Sequence, residues 1–158
     1  MREMMSKLRL TINETKTRVC HVPEGSFDIL GYTIGRCWSP RTGRSYFGTK
    51  PLAKKVARVK REIRDQTGRK WQGTTAGDRV AKLNQILPGW SNYFCLGSVS
   101  AAYRAVDRHT RERLRRWLRR KHKLKGLGTA RFPDRYLDDV LGLIRLCGRP
   151  RSFPCAKA

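Results

Sequence analysis

The chain has 158 residues, 39% of them hydrophobic, which is enough for the core of one domain or of two small subdomains. It carries 36 Lys and Arg residues against 12 Asp and Glu residues, a formal net charge of +24. A surface this basic repels itself, so contact with phosphates is favoured over simple exposure to solvent. No run of about 18 apolar residues occurs, and no signal-peptide pattern opens the sequence, so we expect a cytoplasmic protein without membrane contact.

The five cysteines contain no Cys-x-x-Cys pair and are odd in number. This pattern indicates neither a disulfide framework nor a zinc site. We interpret them as free thiols with structural roles.

The first third of the chain predicts short strands. Residues 27–34 are aromatic and β-branched and read as one strand, in which Gly31 marks a bulge or a close backbone contact. A Pro-Arg-Thr-Gly turn predicts a hairpin between residues 32–39 and 44–47. Strands of this size do not form an independent sheet, so this region is expected to need strands from elsewhere.

After residue 50 the apolar spacing becomes helical and predicts three main helices. The first follows Pro51, the second follows Thr75 as an N-cap, and the third covers about 100–125. Pro88 and Gly89 are expected to end or kink the second helix. A short fourth helix is predicted over 136–146.

The predicted fold class is therefore α+β and mainly α, with a small β-hairpin region followed by a three-helix bundle. We place the β-containing region at 1–49 and the helical domain at 50–125. Residues 126–158 are expected to hold the short helix and a basic, flexible tail.

Most basic residues of the third predicted helix lie away from its apolar stripe, so they are available to phosphates. Arginine outnumbers lysine there, which suits bidentate phosphate contacts. The candidate contacts on this helix are Arg104, Arg108, Arg111, Arg115, Arg116, Arg119, Arg120 and Lys121, and those on the first helix are Lys54, Lys55, Arg58 and Arg61.

The aromatic residues divide into two groups by position. Tyr46, Phe47 and Trp71 lie in predicted strands or loops, where they serve either as packing residues or as stacking partners for bases. We assign the others of the helical region to the core, namely Trp90, Tyr93, Phe94 and Trp117.

No catalytic constellation is visible, since a Gly-rich phosphate loop, a Ser and His pair and a metal-spaced cluster are all missing from the sequence. Tyr136-Leu-Asp-Asp139 spells the Tyr-x-Asp-Asp pattern with which polymerases hold magnesium. Here a predicted helix follows it, so we interpret the aspartates as a charged first helical turn.

Three blocks, in order, resemble group II intron-encoded reverse transcriptase/maturases. They are LTINETKTR (10–18), FDILGY (27–32) and NQILPGWSNYF (84–94). The first two look like the last palm blocks of the reverse transcriptase, and the third like the maturase-specific (X or thumb) domain. The matching motif residues are Lys16, Gly31, Asn84, Gly89, Trp90 and Tyr93.

The resemblance implies the end of a right-hand palm followed by a thumb-like bundle. Lys16 would then lie near the incoming nucleotide and Gly31 at a turn like the primer grip. The implied partner is structured intron RNA, which the bundle would grip to assist splicing.

The sequence departs from this family in several places. The fingers, the catalytic Asp-Asp box and an endonuclease domain are missing, and Pro88 stands where the family more often has a basic residue. We therefore expect a C-terminal fragment of a maturase that is not an enzyme on its own. It would need no cofactor, and Mg²⁺ would enter only if a separate fingers–palm polypeptide completed a split reverse transcriptase. A decayed remnant is the other alternative.

Overall fold

The computed structural model describes residues 21, 25–39 and 42–148, and it shows a small antiparallel sheet followed by helices. The predicted class, α+β and mainly α, is confirmed. The block at 10–18, with Lys16, lies outside the described residues. The elements are β1 (Phe27–Ile29), β2 (Tyr32–Trp38), β3 (Ser45–Pro51), α1 (Ala53–Gln66), α2 (Ala76–Tyr93) and α3 (Ser100–Lys121).

The three strands pair in the order β1-β2-β3, all antiparallel. The predicted hairpin is confirmed, with a register that runs from Tyr32 opposite Pro51 to Trp38 opposite Ser45. The prediction of one strand over 27–34 is wrong. Leu30 and Gly31 both have positive φ, 50° and 83°, and they turn the chain back from β1 into β2. A positive φ costs little energy at Gly31, because glycine has no Cβ, and more at Leu30.

The local sequence explains where α2 begins, and both α2 and α3 end at residues other than those predicted. The Thr75 side chain accepts a hydrogen bond from the Asp78 backbone N–H, and the Asp78 carboxylate accepts one from Thr75 N–H, which caps α2. These hydrogen bonds lower the pKa of Asp78. α2 does not end at Pro88 but continues to Tyr93, and the Ser91 hydroxyl donates to the Pro88 carbonyl at 3.1 Å. α3 ends at Lys121 rather than near residue 125.

The core lies between the three helices and the segment that follows them. Leu83, Leu114 and Trp117 are fully buried there. Phe132 and Leu146, both beyond the predicted end of the helical domain at residue 125, belong to the same core.

The prediction of a helix over 136–146 is wrong. A single π-helical turn covers Tyr136–Val140, and Gly142, with φ of 70°, breaks the helical path. The chain then continues irregularly, so that Leu143 and Leu146 reach the core from outside the bundle. We call residues 132–147 the C-terminal segment.

The sheet joins the bundle through ring contacts of Tyr32 and through several hydrogen bonds. The ring of Tyr32 lies 5.3 Å from that of Phe94, and its hydroxyl donates to the Tyr93 carbonyl at 2.6 Å. The Tyr93 hydroxyl donates in turn to Leu30 O at 2.8 Å, and Ser98 N–H donates to Thr49 O at 2.7 Å.

The core assignment of the aromatic residues holds for Phe94 and Trp117, and Trp90 packs partly buried against the core. It is wrong for Tyr93, whose residue surface is 57% exposed.

In the loop between α2 and α3, Gly97 has φ of 72° and lies against the backbone of β3. A Cβ at this position would collide with the carbonyl of Thr49. Glycine is therefore required here both by its conformation and by the close approach of another chain segment.

No helix in the described part of the chain is both long and apolar enough to cross a membrane.

Candidate nucleic-acid interface

The arginines of α3 lie along two connected grooves between this helix and the chain that follows it. The first arginine groove has a volume of about 430 Å³ and is lined by Arg104, Arg108, Arg111, Arg115, Arg145 and Asp134, among others. The second arginine groove has a volume of about 580 Å³ and is lined mainly by Arg115, Arg116, Arg119, Arg120, Leu127 and Thr129. Glu112 and Arg115 line both, so the two grooves form one basic surface.

Two of these arginines are held by carboxylates of the C-terminal segment. Arg111 Nη2 lies 3.0 Å from Asp138 Oδ2, and Arg115 Nη2 lies 2.6 Å from Asp134 Oδ1. Arg115 Nε also donates to the Phe132 carbonyl at 2.8 Å. The two arginine side chains are only 15% and 12% exposed. Their first role is therefore to bind the segment to α3, and their charge is partly neutralised.

Two further candidates are tied to backbone carbonyls. Lys121 Nζ donates to Gln72 O at 3.1 Å and to Thr74 O at 2.6 Å. Arg119 Nη1 donates to Gly126 O at 2.5 Å. Because carbonyl acceptors leave the positive charge in place, Arg119 can still attract a phosphate beside the second arginine groove.

The candidates with the greatest freedom are Arg104, Arg108 and Arg116. All three are exposed, and none forms a hydrogen bond or ion pair with another described residue. Long cationic side chains without a protein partner are the ones that can reach a phosphate without breaking an existing contact. Arg120, half-buried in the second groove, adds a further charge.

Helix α1 carries a second basic surface. Lys54, Arg58 and Arg61 are exposed and Lys55 is half-buried, and none of the four side chains has a hydrogen bond or ion pair within the described residues. Lys55 and Arg58 line a third groove, between α1 and α2, with Trp90 and Tyr93 on its other side. We call this third groove the aromatic groove.

The motif residues of the second and third blocks differ in what they contact. Asn84 Nδ2 donates to Gly142 O at 2.8 Å and Asn84 Oδ1 accepts from Ile144 N at 2.9 Å, so this residue fixes the C-terminal segment against α2. Gly31 fits because an added Cβ would lie 3.3 Å from the Phe94 ring. Gly89 faces open space in the wall of the aromatic groove.

The possible base-stacking residues differ in availability. Trp71 is occupied, because Arg79 lies 4.4 Å from its ring centroid and its Nε1 donates to Asp65 O at 3.1 Å. Tyr46 covers Gly48 across one face of the sheet, and Phe47 is 43% exposed. Trp71 therefore behaves as a packing residue.

Several residues of the interface were missed by sequence reasoning. Arg113 donates to Thr67 Oγ1 at 3.1 Å, and burial together with nearby Arg116 and Arg64 lowers its pKa. Asp107 accepts hydrogen bonds from Leu146 N and Cys147 N, both at 3.0 Å.

One signal in the sequence could have found the ion pairs. Arg111 and Arg115 are four residues apart, and so are Asp134 and Asp138. Two arginines and two aspartates that share a spacing of four residues can form two ion pairs side by side.

The carboxylate of Asp138 and the thiol of Cys147, which lie beside this surface, both interact with neighbouring protein groups. Asp138 of the Tyr-x-Asp-Asp pattern is paired with Arg111 and Arg145. Burial, and next Asp107, raise the pKa of Cys147, so its thiol stays protonated and is a poor nucleophile. Among the described residues, no three His, Cys, Asp or Glu side chains are grouped so that they could hold a metal ion.

A comparison with protein families identifies the region that contains the three helices. The family model described as "Group II intron, maturase-specific domain" matches residues 56–137, just over half of the chain. The matched residues include all three helices except the first residues of α1. No curated protein matches the chain.

Proposed function

Because the chain belongs to the group II intron maturase-specific domain family, we propose that it binds structured intron RNA and assists its splicing. The observation that carries the proposal is the row of unpartnered cations on α3, Arg104, Arg108 and Arg116, beside the two arginine grooves. A phosphate backbone is the polyanion that such a row fits, since each contact releases condensed counterions.

The hydrogen bonds and ion pairs of the basic residues divide the proposed RNA contacts into two groups. Arg111, Arg115 and Lys121 are held by the protein itself and serve to position the surface. The untethered residues of α3, with Lys54, Arg58 and Arg61 of α1, supply the charge that meets RNA. The arginines that are held by the protein give the surface a fixed shape. The arginines without a partner add charged side-chain ends that can move to meet a phosphate.

The test is binding to an intron RNA transcript over a series of salt concentrations. The triple variant Arg104→Gln, Arg108→Gln and Arg116→Gln should lower the magnitude of the log–log salt slope by about 2–3, since each lost phosphate contact contributes about 0.7–0.9. Its thermal unfolding should stay close to that of the unchanged chain, because these exposed side chains form no hydrogen bond or ion pair within the described residues.

A matched control removes the same charge elsewhere. Arg44, Lys50 and Arg69 are exposed on the sheet and in the α1–α2 loop, away from the arginine grooves. Their replacement by Gln should change the slope less than the α3 variant does. Equal effects of the two triple variants, or binding that salt does not weaken, would show that the proposed interface is wrong.

We propose binding without polymerase activity for this chain alone. The family region that it matches is the maturase-specific one, and Asp138 is engaged in ion pairs rather than directed to an open site. The preparation used for RNA binding should therefore extend no primer on an RNA template, and extension by the chain alone would refute this part of the proposal.

A further inference from the structure

The aromatic groove between α1 and α2 has no role in the phosphate binding proposed for α3. Its volume is about 540 Å³, within the usual range for small-ligand sites. Lys55 and Arg58 line it from α1, and Gly89, Trp90 and Tyr93 line it from α2. A cationic wall opposite an aromatic wall is the composition that a nucleotide requires, with one side for phosphate and one for a base.

Tyr93 is exposed but firmly placed. Its surface is 57% accessible, while its hydroxyl donates to Leu30 O at 2.8 Å and its ring meets the Phe94 ring edge-on at 4.8 Å. An aromatic ring that is already fixed in position loses little conformational freedom when a base stacks on it. Trp90, tilted against Phe94 at 5.1 Å, extends the aromatic wall.

The wall of the groove that α1 forms carries the positive charge that would bind a single phosphate group. Lys55 and Arg58 are three residues apart on α1 and so lie on one side of the helix, and neither side chain has a hydrogen bond or ion pair with a described residue. Glu62, one turn further, places a negative charge in the same groove. This carboxylate disfavours a phosphate backbone running along the groove and leaves room for one nucleotide at its cationic end.

We propose that the aromatic groove binds one unpaired ribonucleotide of the RNA, with its base against Tyr93 and Trp90 and its phosphate near Lys55 and Arg58. The inference rests on the RNA binding proposed above and adds a site that recognises a base. A paired base hides its faces in the helical stack, so a groove with an exposed ring selects a single-stranded or bulged position. An apolar side chain of a protein partner would use the aromatic wall but leave the two cations without a counter-charge.

Gly89 allows the groove to be filled without disturbing the helix. A Cβ built at this residue meets no atom within 4 Å, so Gly89→Leu extends into open space in the groove wall. Gly77→Leu is the matched control at the other end of α2, where the nearest atom to the added Cβ is Thr75 Oγ1 at 3.8 Å. Both changes replace glycine by a better helix former.

The measurement compares two probes of equal length and charge, a short oligouridylate and an oligomer of abasic ribose-phosphate units. The unchanged chain should bind the oligouridylate about 10-fold more tightly, the gain expected from stacking one base. In Gly89→Leu this preference should fall close to unity while affinity for the abasic oligomer is kept. Gly77→Leu should retain the full preference.

The outcomes separate this inference from the proposed function. If the unchanged chain binds neither oligomer nor the intron transcript, the RNA-binding proposal itself fails. If it binds both oligomers equally, only the nucleotide site is refuted, and the aromatic wall is left for a protein partner. A base preference that survives in Gly89→Leu also refutes the site, because the base would then be bound elsewhere.

A second measurement needs no variant. Photocrosslinking of the unchanged chain to an oligouridylate containing 4-thiouridine should give an adduct within α2 at Trp90 or Tyr93, identified by peptide mapping. Adducts only at Trp38 or Phe47 of the sheet would overturn the assignment, since these aromatic side chains are exposed as well.

Discussion

Arg111, Arg113 and Arg115 alternate along one turn and a half of α3, yet each has a different partner. Arg113 donates to Thr67 of the α1–α2 connection, whereas Arg111 and Arg115 pair with Asp138 and Asp134. A helical pattern places such residues outside the apolar stripe, but it gives no information on which of them meet a partner from a distant part of the chain. For that reason the sequence predicts the position of the basic surface, but it does not predict which arginines on that surface lack a protein partner.

His109 is the residue of this helix whose protonation should affect stability. Its Nε2 lies 3.1 Å from the Lys60 carbonyl and must donate to it, because a carbonyl only accepts. Burial lowers its pKa below the ordinary 6.5, against the opposing effect of this hydrogen bond, and the charges of Lys60 and Arg113 lower the pKa further. Glu112 is the nearby group that acts in the other direction.

The sign of the pH dependence follows from this shift. The unfolded chain binds the proton more readily than the folded one, so stability is complete above the unfolded pKa and falls as pH drops below about 6.5. His109→Gln keeps a donor near the Lys60 carbonyl without a titrating group. Its urea midpoint should fall less than that of the unchanged chain between about pH 7.5 and about pH 5.5. His122→Gln, at the exposed end of α3, is the control, and equal losses in the unchanged chain and His109→Gln would contradict the assignment.

At the scale of elements, the three helices could be predicted because each shows an apolar face of helical period. The C-terminal segment could not, because its apolar residues also have a spacing compatible with a helix. The positive φ of Gly142 and the hydrogen bonds from Asn84 draw this segment across the bundle instead. Tertiary contacts of this kind override a weak local preference.

Asp107 is the main hydrogen-bonding anchor of the end of the C-terminal segment. It is 7% exposed and accepts from two backbone N–H groups, those of Leu146 and Cys147. Asp107→Ala leaves both donors without this acceptor and should lower the free energy of unfolding by about 1–3 kcal/mol. Asp139→Ala, in the same segment but exposed, should change it by less than about 0.5 kcal/mol. Denaturant unfolding of both variants measures the difference, and similar losses would show that Asp107 is not an anchor.

For the molecule as a whole, the core and the sheet are separate. The buried cluster contains residues of the three helices, of the α2–α3 loop and of the C-terminal segment, and none from the strands. The sheet contacts the bundle at one end through Tyr32 and Thr49, whereas Trp38 at the other end is 65% exposed. We therefore expect the bundle to fold alone and the three short strands not to.

A dissected chain tests this division. Residues 51–148 alone should unfold cooperatively with helical circular dichroism, at a lower midpoint than the longer chain because Phe94 loses its contact with Tyr32. Residues 21–51 alone should show no strand signal. A helical fragment without a cooperative transition would mean that the sheet is part of the folding unit.

The close approach of Gly97 to Thr49 has a consequence for association between copies of the chain. An open sheet edge is a template on which a strand from another molecule can add. The α2–α3 loop occupies part of the β3 edge through the Ser98–Thr49 hydrogen bond, and within the described residues the opposite edge is β1, which is three residues long. Any side chain at residue 97 would move the loop away from Thr49 and expose more of that edge. We therefore expect a side chain at residue 97 to favour association between copies of the chain through this edge.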